Sequence, residues 1–166
     1  MSIKGIILAG GAGSRLSPVT KSVNKQLLPI YNKPMIFYPL SVLMLGNIKN
    51  ILIVVNKGQK KSFNNILGDG SDLGIRISYI EQDYPKGLPD AFILGEQFIK
   101  KSNIALILGD NFFYGSMLSP ILKNAFKTSS GAKIFLYPTK NPSSYGIVEL
   151  DKRNKIKKIL EKPKVT

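Results

Sequence analysis

Gly5-Ile6-Ile7-Leu8-Ala9 runs directly into Gly10-Gly11-Ala12-Gly13-Ser14-Arg15, and this stretch decides the fold class. Five residues without polar alternation predict a strand covered on both faces, as in a parallel sheet. The glycines that follow allow positive φ and close approach of a ligand to backbone amides. Two similar buried strands follow, at Asn50-Ile51-Leu52-Ile53-Val54-Val55 and at Ile104-Ala105-Leu106-Ile107-Leu108. Between the strands lie helical patterns. Pro39–Leu45 is entered through proline and stopped at Gly46, and Gln59–Leu67 ends before Gly68. Pro89–Ile99 reads as one helix, with Ala91, Phe92, Leu94, Gly95 and Phe98 as its packed face, and Leu118–Phe126 as another. Ile75–Ile80, Lys133–Tyr137, Tyr145–Leu150 and Lys157–Leu160 read as further strands.

Strand and helix in regular succession predict an α/β fold: a doubly wound, mostly parallel, Rossmann-like sheet with helices on both faces. With no repeat or dividing linker, the 166 residues are expected to form one domain. In such sheets ligands bind beyond the carboxyl ends of the strands. The glycine turn after Ala9 and Asp110 after Leu108 are therefore expected at one edge, and Glu161 after Leu160 with them.

Composition narrows the chemistry. The chain has no cysteine and no histidine, so disulfides, thiolate metal sites and every histidine-based scheme are excluded. Carboxylates, lysine, arginine, backbone amides or a metal must serve. The net charge of +14 raises nucleic-acid binding as a possibility. Arginine is the usual phosphate and base reader, yet only Arg15, Arg76 and Arg153 are arginines and the lysines are dispersed. Solvated lysine faces are the better reading, with no nucleic-acid partner. No apolar run approaches the roughly 20 residues of a membrane span, and the apolar start is too short for a secretory signal, so a cytoplasmic location is expected.

The turn is neither of the two commonest phosphate loops. A dinucleotide fingerprint needs a third glycine where Leu16 stands, and a Walker loop needs Gly-Lys-Ser/Thr where Gly13-Ser14-Arg15 stands. It does carry Arg15, with Lys25 ten residues on. Cations placed along a triphosphate stabilise the charge that develops on a leaving group. Asp110 is a helix cap, a structural hydrogen-bond acceptor or a Mg²⁺ ligand, since Mg²⁺ needs only one or two carboxylates beside phosphate oxygens and water.

Gly10-Gly11-Ala12-Gly13-Ser14-Arg15-Leu16-Ser17-Pro18, followed by Lys25-Gln26-Leu27-Leu28-Pro29-Ile30-Tyr31, resembles the signature of sugar nucleotidylyltransferases, and of the glucose-1-phosphate thymidylyltransferase branch in particular. Leu67-Gly68-Asp69-Gly70-Ser71, Gln82 with Gly87-Leu88, Leu108-Gly109-Asp110-Asn111, Tyr145-Gly146-Ile147-Val148-Glu149 and Glu161-Lys162-Pro163 extend the resemblance over residues 3–163.

The resemblance implies the nucleotidyltransferase fold and transfer of dTMP from dTTP to glucose 1-phosphate, with Mg²⁺. Uridylyl or adenylyl transfer and a non-catalytic nucleotide-binding fragment are the alternatives. It implies nucleotide contacts at Leu8, Gly10, Gly11, Gly13, Gln82 and Gly87, and catalytic roles for Arg15, Lys25 and the metal ligand Asp110. Tyr145, Gly146, Glu161 and Lys162 would form the sugar-phosphate pocket. Relatives continue past residue 166, so the chain is expected to be the N-terminal nucleotide-binding part of a longer, homo-oligomeric enzyme of deoxysugar and polysaccharide biosynthesis. Ala12 and Asn24 stand where serine is usual, and Pro89-Asp90 where Ala-Gln is common.

Overall fold

The computed structural model describes residues 3–11, 13–127 and 131–163. The chain divides into two compact units, Met1–Ser129 and Ser130–Thr166.

The first unit contains β1 (Ile3–Leu8), β2 (Pro29–Ile30), β3 (Lys33–Pro34), α1 (Phe37–Leu45), β4 (Asn50–Asn56) and α2 (Lys60–Leu67). It continues with β5 (Arg76–Gln82), α3 (Leu88–Leu94), α4 (Glu96–Ile99), β6 (Asn103–Leu108) and α5 (Leu118–Ala125). β2 and β3 make a short antiparallel hairpin. The central sheet has four strands in the order β5-β4-β1-β6, every neighbour pair parallel.

The sheet is doubly wound, as the uninterrupted apolar runs predict. Ile7, Ile51, Ile53, Val55, Ile77 and Ile107 pack with Leu40 and Leu43 of α1, Phe63 and Leu67 of α2, and Leu122 of α5. Ile6, Leu52 and Val54 take the opposite face with Ala91 of α3, and Phe98 and Ile99 of α4 lie against them. Successive strand residues thus alternate between two cores, which is why no polar residue interrupts them.

Chain order fixes the functional edge. From β1 the chain adds β4 and then β5 on one side, and next returns to place β6 on the other side of β1. The order reverses between β1 and β6, and a crevice opens at such a switch point beyond the strand ends.

Several local expectations are corrected. α1 starts at Phe37, two residues before the proline read as its entry. Pro39 still costs no helical hydrogen bond, because the first four N–H groups of a helix have no internal acceptor. The helix read across 89–99 is two helices meeting at Gly95. A Cβ there would lie 3.1 Å from Leu52 Cδ2 of β4, so glycine lets the helices lie close to the sheet. Phe92, read as part of the packed face, is exposed, whereas Leu94 and Phe98 do pack inward.

The second unit holds β7 (Gly146–Leu150) and β8 (Ile156–Glu161), an antiparallel hairpin in which Gly146 pairs with Glu161 and Ile147 with Leu160. Residues 133–137 form no strand. Their apolar character supplies β propensity, but a strand also needs a ladder, and β7–β8 is the ladder of this unit among the described residues. Glu161 ends a strand of this hairpin, not of the parallel sheet, so the expected sharing of that sheet's edge with Asp110 is corrected. The local pattern of Lys157–Leu160 does not say which sheet a strand joins.

Candidate active site

The glycine turn is held from beneath by two side-chain amides. Gln82, at the end of β5 and buried, donates from Nε2 to the Gly10 carbonyl at 2.7 Å and to Asn56 Oδ1 at 3.0 Å. Asn24, also buried, donates from Nδ2 to the Ala9 carbonyl at 3.2 Å. A Cβ at Gly10 would fall 2.1 Å from Gln82 Nε2, so a side chain there would displace that amide. Gly13 has φ +62°, a left-handed conformation that favours glycine, and its carbonyl accepts from Thr20 Oγ1 at 2.9 Å. At Gly11 a Cβ would meet nothing within 4 Å among the described residues, so open space lies beside the turn. Ala12 falls outside the described residues. Arg15 projects from the 3-10 turn Ser14–Leu16, exposed and with no carboxylate partner among the described residues.

Asp110 reaches this turn through the β1–β6 ladder. Leu8 stands opposite Leu108, and the Gly109 N–H continues the pairing onto the Leu8 carbonyl at 2.9 Å. Leu8 and the start of the glycine turn therefore sit beside Gly109-Asp110. A Cβ at Gly109 would lie 2.8 Å from Gln26 Cγ and 3.2 Å from the Leu8 carbonyl, so glycine permits this approach.

Lys25 begins the 3-10 turn Lys25–Leu27, capped by Asn24 Oδ1 accepting from the Gln26 N–H at 2.8 Å. Its Nζ meets Asp110 Oδ2 at 2.8 Å, with about a third of each side chain exposed (29% and 34%). Residues 85 apart in sequence thus share one ion pair at the switch point. Water screens a pair this exposed, so its contribution to stability is modest. Its value is in gathering charge: a cation and an anion within reach of the same turn.

Gly87, with φ +100°, precedes α3. Leu8, Gly10, Gly11, Gly13, Gln82, Arg15, Lys25 and Asp110 all belong to loops and strand ends of the first unit. Tyr145, Gly146, Glu161 and Lys162 are gathered in the second. There the Lys162 N–H donates to the Tyr145 carbonyl at 3.0 Å, and a Cβ on Gly146 would sit 3.3 Å from Glu161 Oε2. Lys162 Nζ lies 3.8 Å from Glu161 Oε1. The ring of Tyr137 stands edge-on to Tyr145, centroids 6.1 Å apart. The hydrogen bond with Tyr145, with lesser effects of burial and of the neighbouring phenol's charge, raises the Tyr137 hydroxyl above the ordinary phenol range. A cavity of about 310 Å³ opens here, with Tyr137, Tyr145, Gly146 and Val148 among its lining.

A metal fits only in part on protein ligands alone. No group of three or more acidic residues able to hold an ion occurs among the described residues. Asp110 presents a single, partly exposed carboxylate, one oxygen on Lys25. That suits an ion whose remaining ligands are phosphate oxygens and water.

Three residues that build this edge carry no site role in the sequence analysis: Asn24, Gln26 and Asn56. Gln26 is buried, and among the described residues its Oε1 has no hydrogen-bond partner. A buried acceptor left unpaired costs free energy unless something donates to it, which makes Gln26 a further candidate for ligand contact. Its position between Lys25 and two leucines was the available signal, but burial of a glutamine is a tertiary fact.

Comparison with known proteins agrees with this fold. The family model described as nucleotidyl transferase matches residues 4–166. A glucose-1-phosphate thymidylyltransferase of Neisseria meningitidis is 53% identical over 161 residues, covering 97% of this chain and 56% of the relative. A Bacillus anthracis protein solved as a glucose-1-phosphate thymidylyltransferase, with sucrose, superposes with TM-score 0.91 at 37% identity, covering 99% of this chain and 66% of that one. The UDP-glucose pyrophosphorylase of Acinetobacter baumannii shares the fold, with TM-score 0.82 at 21% identity, covering 99% of this chain and 69% of that one. The chain spans about 56% of the length of the curated relatives it matches.

Proposed function

This chain belongs to the nucleotidyl transferase family, and we propose that it forms the nucleotide-binding part of a glucose-1-phosphate thymidylyltransferase. The reaction is transfer of dTMP from dTTP to glucose 1-phosphate, with pyrophosphate released. The observation that carries this reading is the meeting of three parts at the β1–β6 switch point: the glycine turn, Lys25 and Asp110. The similarity to enzymes named for this reaction supports the choice of base and sugar.

The chemistry follows from the residues. A phosphate oxygen of glucose 1-phosphate attacks the α-phosphorus of dTTP. The bond from that phosphorus to the β-phosphate oxygen breaks, and pyrophosphate leaves in line. The attacking oxygen is already anionic, so no base is needed, which suits a chain without histidine or cysteine. Catalysis is then positioning and charge stabilisation. Leu8, Gly10, Gly11 and Gly13 line the nucleotide, and Arg15 balances the charge of the departing pyrophosphate. Lys25 leaves Asp110 to bridge the two substrates' phosphates.

Asp110 would hold Mg²⁺, which supplies positive charge across the phosphate oxygens. Gln82 commits both of its N–H groups to Gly10 and Asn56. Only its carbonyl oxygen remains to accept, and the N3–H of thymine or uracil donates where cytosine's N3 does not. Gly87 borders the base. Tyr145, Gly146, Glu161 and Lys162 hold the sugar phosphate, with Glu161 accepting from sugar hydroxyls. The full-length protein would act in the cytoplasm, where nucleoside triphosphates are made, as a homo-oligomer.

The test is pyrophosphate release, read as inorganic phosphate after pyrophosphatase, from dTTP with glucose 1-phosphate and with each omitted. Release that needs both substrates supports the proposal. Binding of dTTP by calorimetry without release would leave a nucleotide-binding module, and neither binding nor release would refute the reading.

A further inference from the structure

Two side-chain amides grip two consecutive carbonyls at the end of β1: Asn24 Nδ2 on Ala9 and Gln82 Nε2 on Gly10. In a trans peptide the C=O and the N–H of one plane point in opposite directions. A carbonyl drawn onto Asn24 therefore turns the Gly10 N–H away from Asn24, and a carbonyl drawn onto Gln82 turns the Gly11 N–H away from Gln82. Among the described residues neither N–H has an acceptor, although the Ala9 N–H just before them still pairs with the Val54 carbonyl at 2.8 Å. The ladder thus ends where the clamp begins.

Asn24 makes two further contacts. Its Nδ2 meets Gln59 Oε1 at 2.5 Å, at the entry to α2, and its Oδ1 caps the Gln26 N–H at 2.8 Å. One buried side chain therefore ties the glycine turn, the Lys25 turn and the start of α2 together. The chain carries asparagine here where the resembling sequences favour serine. A carboxamide can donate and accept at once on separate atoms, so both duties fall to one residue.

We propose that Asn24 is a positioning residue: it orients the Ala9–Gly10 peptide so that, with Gln82 doing the same one residue on, adjacent N–H groups of Gly10 and Gly11 face outward as a paired donor for phosphate oxygens. Paired amides of this kind bind anions because their dipoles converge. The inference rests on the proposed function in placing a triphosphate at this turn, and it adds the residue that makes the turn competent.

The test uses the ¹⁵N-labelled chain and tripolyphosphate, which has the charge of the nucleotide without its base. In the parent protein the Gly10 and Gly11 amide signals shift on titration. Asn24→Ala weakens tripolyphosphate binding about tenfold, the loss of one good hydrogen bond, and moves the Gly10 signal before any ligand is added. Asn24→Asp guards against a folding defect. It keeps the acceptor for the Gln26 N–H but loses the donor to Ala9, so the Gly10 signal moves while the Gln26 signal stays. Parent-like Gly10 signals and affinity in Asn24→Ala would overturn the role of Asn24 and leave the proposed function standing. Tripolyphosphate that binds the parent without shifting either glycine would remove the phosphate turn itself, and this inference with it.

Discussion

Replacing Lys25 by methionine separates the two uses of its charge. Methionine keeps most of the stem and removes the ammonium, so the 2.8 Å contact with Asp110 is lost with little change in packing. Exposed ion pairs contribute up to about 1 kcal/mol and breaking a buried one costs about 3–5 kcal/mol. With roughly a third of each side chain exposed, about 1 kcal/mol is the reasonable loss, or a fall in Tm of about 2–4 °C. The same 1 kcal/mol no longer opposes a divalent ion at Asp110. The nucleotide-free variant should therefore bind Mn²⁺, as a reporter for Mg²⁺, about fivefold more tightly. Turnover should move the other way and fall about 10²–10³-fold, the usual effect of deleting one group that stabilises developing charge. Electron paramagnetic resonance counts free Mn²⁺ directly, and pyrophosphate release gives the rate. Unchanged or weaker Mn²⁺ binding would show that Lys25 does not compete for the carboxylate, and unchanged turnover would remove Lys25 from the site.

Three further predictions probe the turn and the fold. Gly10→Ala forces the buried Gln82 amide off its two partners and should cost about 2–3 kcal/mol in urea unfolding. Gly11→Ala meets open space and should stay within about 0.5 kcal/mol; equal losses would contradict the clamp. Arg15→Ala should lower turnover about 10²-fold or more, whereas Arg76→Ala, at the start of β5, should leave it nearly unchanged; equal effects would misplace the site. Tyr79 is pushed up to about 12 by partial burial and then by the charge of Asp69. A raised phenol favours the neutral folded form, so its contribution is complete below pH 10 and disappears as pH climbs from 10 towards 12. Thermal melts at pH 9 and pH 11 should show a smaller drop for Tyr79→Phe than for the parent, and identical drops would refute the assignment.

Much of the fold was legible because burial on two faces leaves a one-dimensional mark. Ile6–Ala9, Ile51–Val55 and Ile104–Leu108 carry no polar alternation, and at this length and with these β-branched residues a strand covered on both sides fits them best. Punctuation was legible too: Gly46 and Gly68 end α1 and α2 where read. The break at Gly95 was not, because a glycine within a helical pattern fits a continuous helix equally well. Only the tertiary structure shows that a Cβ at this position would crowd Leu52 of β4. Lys133–Tyr137 and Glu161 show the matching limit for strands, since pattern gives propensity and ladders give membership.

By itself the amino-acid sequence determined which segments become strands, that the turn after β1 must be glycine-rich, and which ionisable groups are available for chemistry. The tertiary structure alone decided that β6 lies beside β1, and so brought Asp110 to Lys25 and to that turn. It alone also buried Asn24 and Gln82 beneath two carbonyls. The reason is physical: local patterns record how one segment meets solvent or core, whereas strand order and side-chain pairing depend on which distant segments win the competition for the same neighbours.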